Sequence, residues 1–197
     1  MITAEKALPQ IVGDLRDLAS PWALVGGLAV CARADLRPTA DIDIAVAVPD
    51  DATAEARVSD LLAAGYRPRE SIVHNQTGRL ATVRLLSPAA SQSMAVDLFF
   101  ASSGVETEIV AAAEPLEIQP GLAIPVARIG HLIAVKLCWR RSAKRDRDLR
   151  TLIQRADAED LQDARHLIAS ITERGYHRGR DLAAALDTWL VAQRTNR

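Results

Sequence analysis

Apolar residues recur at three- and four-residue steps from Thr3 to Leu18, where Ala7, Ile11, Leu15 and Leu18 form one stripe. The spacing predicts an amphipathic helix capped by Thr3, with a kink or a separate first turn at Pro9. Ser20-Pro21 breaks it, and Trp22–Val25 is a short apolar run that predicts a strand. Gly26-Gly27 turns the chain sharply into a helical stretch from Leu28 to about Ala34. Asp41–Val48 first alternates acid and apolar positions and then becomes wholly apolar, the pattern of a strand. Thr53–Ala64 returns to helical spacing and stops at Gly65. Ser71–Val73, Leu80–Leu86 and Met94–Phe100 read as further strands, Glu106–Ala113 as a short helix, and Leu116–Ile118 with Leu122–Val126 as a hairpin around Pro120-Gly121.

From Ala127 the pattern becomes helical throughout. Arg128–Arg141, Asp146–Arg155, Asp157–Glu173 and Asp181–Gln193 carry helix-spaced apolar positions, and no strand pattern occurs among them. The fold class expected is therefore α/β (α+β), with a mixed β-sheet flanked by helices over residues 1–126 and a C-terminal helical bundle over 127–197.

Charge changes this picture. Residues 1–127 hold 9 Lys/Arg against 16 Asp/Glu, and residues 128–197 hold 15 against 9, so a net of −7 faces a net of +6. Acids on one wall and basic phosphate contacts on the other are the arrangement expected for handling a polyanion. No apolar run approaches the length of a membrane span, so no membrane partner is expected, and the N-terminus lacks the basic-then-apolar shape of a secretory signal. Cys31 and Cys138 sit in apolar helical contexts, as expected for free thiols in a reducing cytoplasm, and the four histidines have no zinc-ligand spacing.

The candidate chemistry lies on the acids. On a strand, Asp41 and Asp43 face the same way while Ile42 and Ile44 face the other, so two carboxylates share one side. Like charges at that distance call for a cation, and magnesium takes carboxylate oxygens together with substrate phosphates. Asp97 interrupts the apolar stretch Ala95–Phe100, and a buried acid needs a partner or a metal. Set beside Asp41–Val48, Asp97 completes a cluster of three, placed to act as a general base. The Gly26-Gly27 turn lets backbone N–H groups approach a phosphate closely.

Gly26-Gly27, then Arg37-x-Thr39-x-Asp41-x-Asp43, then Asp97, Lys136 and Arg147-Asp148-Leu149 resemble the nucleotidyltransferases of the DNA polymerase β-type superfamily. Within it the chain is most similar to the AbiEii-type toxins of abortive-infection and toxin–antitoxin systems, from about Trp22 to Leu152. The resemblance implies a minimal nucleotidyltransferase fold. It also implies two magnesium ions, or manganese in their place, held by Asp41, Asp43 and Asp97, and a nucleoside triphosphate cradled by the glycine turn. Lys136 matches the lysine that contacts the triphosphate in such families, and Lys136, Arg140, Lys144, Arg147 and Thr151 share one face if the helix is unbroken. Gly26, Gly27, Arg37, Thr39, Lys136, Arg140, Arg147 and Asp148 are thus the nucleotide-binding candidates. Thr151 replaces the second acid of the family's R-D-L-x-D-L ending, so either Asp146 or Asp148 serves as the fourth motif.

The activity expected is transfer of a nucleoside monophosphate to an acceptor hydroxyl, with tRNA or another RNA among the acceptors and a cognate antitoxin as a protein partner. Two alternatives stand beside it. One is an aminoglycoside-type small-molecule nucleotidyltransferase. The other is a non-catalytic partner in a toxin–antitoxin pair.

Overall fold

A computed structural model describes residues 4–34, 39, 41–75, 77–88 and 94–195. In chain order the elements are α1 (Ala4–Asp17), β1 (Trp22–Val25), α2 (Gly26–Arg33), β2 (Ile42–Val46), α3 (Asp51–Ala63), β3 (Arg67–Val73), β4 (Leu80–Leu86) and β5 (Ala95–Phe99). Then follow α4 (Glu106–Ala111), β6 (Glu114–Gln119), β7 (Leu122–Val126), α5 (Ile129–Cys138), α6 (Ala143–Arg155), α7 (Ala158–Glu173) and α8 (Leu182–Thr195). The seven strands form one mixed sheet in the order β3-β4-β5-β2-β1-β7-β6. The β2–β5 and β1–β7 pairs are parallel and the others antiparallel.

Alternation along the strands separates the two faces of the sheet. Leu24, Ile44, Leu98 and Val83 lie in one lateral row and are all buried, as are Ile42, Val96 and Leu85 two positions away. This face belongs to a continuous core that includes the α1 stripe of Ala7, Leu8, Ile11, Val12 and Leu15. The opposite face carries the polar row described below and is approached by α4 and α5. At the centre of the helical part stands α5, whose Gly130, His131, Leu132, Ile133, Ala134, Leu137 and Cys138 are buried. It packs against α2, α6, α7 and α8. One hydrophobic cluster thus runs from α1 through the sheet to Leu186 on α8.

Several expected boundaries shift. α1 is continuous across Pro9, its sixth residue, where the ring removes one i→i−4 hydrogen bond without ending the helix; Thr3 lies outside the described residues. β3 begins at Arg67 rather than Ser71, and every residue in it is exposed. Among the described residues it is an edge strand paired with β4 alone, so no apolar pattern marked its first half. The basic helix expected over Arg128–Arg141 ends at Cys138, and α6 starts afresh at Ala143. Ser142 caps α6 by accepting the N–H of Arg145 at 3.1 Å. Arg145 and Arg180 meanwhile donate to the carbonyls of Lys136, Leu137, Cys138 and Trp139 that close α5. Lys136 and Arg147 therefore do not share the face of one unbroken helix.

Candidate active site

Pairing builds the site as a row across five strands. Glu70 on β3 stands opposite Arg84 on β4, Arg84 opposite Asp97 on β5, Asp97 beside Asp43 on β2, and Asp43 opposite Val25 on β1. Residues of one row project to one face, so a negative, a positive and two negative side chains stand side by side. The next row on this face is Ile72, Thr82, Phe99 and Ala45. Both rows floor a cavity of about 540 Å³.

Gly26 closes one end of the floor. Its φ is +63°, and a Cβ there would stand 1.9 Å from Oδ2 of Asp43, so no other residue fits this turn. α2 begins here, and the Gly27 N–H donates to Asp43 Oδ2 at 3.1 Å. Burial raises the pKa of Asp43 above its ordinary value. The Gly27 N–H opposes the rise, the charge of Asp97 adds to it, Lys136 opposes it, and Asp41 adds to it. Asp41 lies just before β2 and also lines the cavity. Thr39 is half-buried, and its Oγ1 lies 3.5 Å from the Asp41 carbonyl. Arg37 lies outside the described residues.

Asp97 is buried, with 6% of its surface exposed. Arg84 holds it with a two-pronged fork, Nε to Oδ1 at 2.7 Å and Nη2 to Oδ2 at 2.6 Å, and the same Nη2 lies 3.9 Å from Asp41 Oδ2. The fork, together with the nearby charges of Asp97, Asp41 and Asp43, raises the pKa of Arg84 although burial opposes this. Arg84 was missed in the sequence. Its signal was nonetheless of the same kind as that of Asp97, a lone charge in the apolar strand Leu80–Leu86.

The opposing wall comes from the C-terminal helices. Lys136 on α5 donates to Asp148 Oδ2 at 2.7 Å, and Asp148 is 1% exposed. Asp148 is thus the acid of α6 joined to the lysine, whereas Asp146 pairs with Arg145 and Arg141. Arg140, in the break between α5 and α6, lines the cavity, as do Lys144 and Arg145. Arg147 is exposed on α6 and is not part of the lining.

The loop after β5 and the segment between α7 and α8 complete the walls. Glu106 accepts hydrogen bonds from the backbone and hydroxyl of both Ser102 and Ser103, which fixes that loop and occupies the hydroxyls. Arg178, at φ 55°, lies over the Trp139 ring at 4.6 Å and donates to the Ser102 carbonyl. Nothing in the local sequence around Arg178 marks it as a cavity residue.

The donor set of Asp41, just before β2, Asp43 on β2 and Asp97 on the adjacent β5 is all carboxylate oxygen, which suits magnesium. Among the described residues no group of three His, Cys, Asp or Glu is drawn tightly enough to hold a metal as it stands. The Arg84 guanidinium engages both oxygens of Asp97.

Solved structures place this architecture. An antigenic nucleotidyltransferase-like protein from Paracoccidioides brasiliensis superimposes with a TM-score of 0.54 at 17% identity, covering 94% of each chain. The antibiotic-resistance factor ANT(2'')-Ia gives 0.54 at 19% identity, covering 92% of this chain and 94% of its own. The lincosamide antibiotic adenylyltransferase LnuA, solved with lincomycin bound, gives 0.51 at 14% identity, covering 78% of this chain and 99% of its own. At such identities the likeness establishes the nucleotidyltransferase fold. No curated protein sequence matches significantly. A family model described as nucleotidyl transferase AbiEii toxin, type IV toxin–antitoxin system, matches residues 11–194, nearly the whole chain. With that match along a nucleotidyltransferase fold, the chain belongs to the AbiEii nucleotidyltransferase family.

Proposed function

We propose that the protein is a metal-dependent nucleotidyltransferase that moves a nucleoside monophosphate from a nucleoside triphosphate to a hydroxyl of an RNA acceptor such as tRNA, as the toxin of a pair with a cognate antitoxin. The observation that carries this reading is the alignment of Asp43 with Asp97 in adjacent strands, beside Asp41 and under the Gly26-Gly27 turn. Asp41, Asp43 and Asp97 are the residues that would hold two magnesium ions, or manganese in their place. When bound, such ions neutralise the phosphates and favour in-line displacement. The glycine turn and Lys136 cradle the triphosphate, and Arg140 adds positive charge at the same wall. Asp97 accepts the proton of the acceptor hydroxyl. As that oxygen bonds to the α-phosphorus, the bond from phosphorus to the bridging oxygen breaks, and pyrophosphate leaves with the electron pair.

An anionic acceptor fits a cavity lined by Arg140 and Lys144, and Arg141, Arg147 and Arg150 of the same stretch are exposed. One observation favours a second reading. Glu70 stands at the open end of the row, where its carboxylate could meet a cationic small molecule such as an aminoglycoside. The test is incubation with magnesium, each labelled triphosphate in turn, total RNA and an aminoglycoside mixture, with Asp43→Asn as control. Label is expected in RNA and absent with Asp43→Asn. Label in the small-molecule fraction would replace the RNA reading. The same labelling by both proteins would overturn the metal-dependent mechanism.

A further inference from the structure

The three-carboxylate cluster already contains a cation of its own. Arg84 reaches it from β4, holds both oxygens of Asp97, and brings Nη2 to 3.9 Å from Asp41. The two partners are not equally free to move. The Asp97 side chain is 9% exposed and fixed by its strand, whereas the Arg84 side chain is 38% exposed and opens onto the cavity. Lys136, a cation on the facing wall, is committed to Asp148 at 2.7 Å. The fork uses one acceptor site on each Asp97 oxygen and sets a positive charge against them, so a divalent ion binds Asp97 more readily when Arg84 gives up at least one prong.

We propose that Arg84 is a built-in counter-ion, a positioning residue that holds the acid cluster together without metal and yields Asp97 when a divalent ion arrives. This rests on the metal-site reading given above. The released guanidinium stays inside the cavity, where a triphosphate is the anion it would meet. Metal and nucleotide then bind cooperatively, because each relieves what opposes the other. The metal frees Arg84, and the nucleotide gives it a new partner. Metal alone binds weakly, in proportion to the small fraction of molecules in which the fork is open.

The experiment measures Mn²⁺ binding to the full chain by electron paramagnetic resonance, with and without a non-hydrolysable triphosphate analogue. Without nucleotide, Arg84→Gln should bind Mn²⁺ about tenfold more tightly than the native protein, since no charged fork must open. Its gain on adding nucleotide should be smaller than the native gain. Arg84→Lys keeps the charge but cannot fork, and should fall between the two. Circular dichroism checks folding, and if Arg84→Gln does not fold, the lysine variant carries the test by binding more tightly than native. Mn²⁺ affinity in the folded variants equal to or weaker than native overturns the proposal while leaving the metal site standing. Asp43→Asn separates the two failures: Mn²⁺ binding that is unchanged in Asp43→Asn overturns the metal-site reading itself, and the role of Arg84 with it.

Discussion

Asp43 carries opposing demands within a few ångströms. Its carboxylate fills the space that a side chain at Gly26 would need, accepts the Gly27 N–H, and lies beside two other acids. Burial raises its pKa above the ordinary 3.8. A carboxyl with a raised pKa holds its proton more tightly folded than unfolded. Its stabilising contribution is therefore complete below about 3.8 and is lost as pH rises through the folded pKa. At neutral pH the ionised group costs stability. Asp43→Asn cannot ionise and keeps an oxygen for the Gly27 N–H. It should melt a few degrees higher than native at pH 7 in chelator, about 2–4 °C for each 1 kcal/mol relieved. The difference should shrink toward zero as pH falls below 3.8. A variant that melts lower at pH 7 would show that the carboxylate is a net stabiliser.

At the scale of elements, α5 decides where the cationic wall stands. It is apolar on nearly every side, so its position is set by packing against several helices at once. The fit against α7 is tight at Gly130, where a Cβ would come within 2.2 Å of the Asp160 carbonyl. Gly130→Ala must push α5 and α7 apart, an overpacking that costs about 1–3 kcal/mol. Gly130 does not line the cavity. Denaturant melts should show the loss, while transfer per folded molecule stays near native. An unchanged midpoint would mean that the two helices separate freely. The break after α5 matters as much, because it places Arg140 at the cavity and leaves Arg147 outside it.

Across the whole molecule, the segment between α7 and α8 ties the helical part back to the sheet. Arg174 donates to the Gly104 carbonyl and pairs with Glu108, and the Tyr176 ring lies 4.2 Å from that of His74. The Tyr176 hydroxyl also meets Thr77 at 3.3 Å, in the turn between β3 and β4. Arg178 reaches Ser102 across the cavity rim. Tyr176 is 6% exposed, and Tyr176→Ala removes a buried ring at a cost of about 3–5 kcal/mol. Because one hydrophobic cluster joins both parts, the variant should still unfold in a single transition at lower temperature. Calorimetry resolving two separate transitions in the native protein would contradict that continuity.

The alternation of Asp41 and Asp43, the lone acid at Asp97, the Gly26-Gly27 turn and the helical texture after residue 127 were legible in the sequence. Each is a local pattern, set by backbone period and side-chain chemistry within a few residues. Which residues meet depends instead on how the strands and helices pack. Glu70, Arg84, Asp97 and Asp43 become neighbours because the strands stack in the order β3-β4-β5-β2 with one register. That register follows from burying Ile44, Leu98 and Val83 together on the other face, and a slip of one residue would turn every one of them outward. The pairing of Arg84 with Asp97, the commitment of Lys136 to Asp148 and the reach of Arg178 arise in the same way. Each joins residues distant in the chain that the shared core brings to one cavity, and no local period encodes such a meeting.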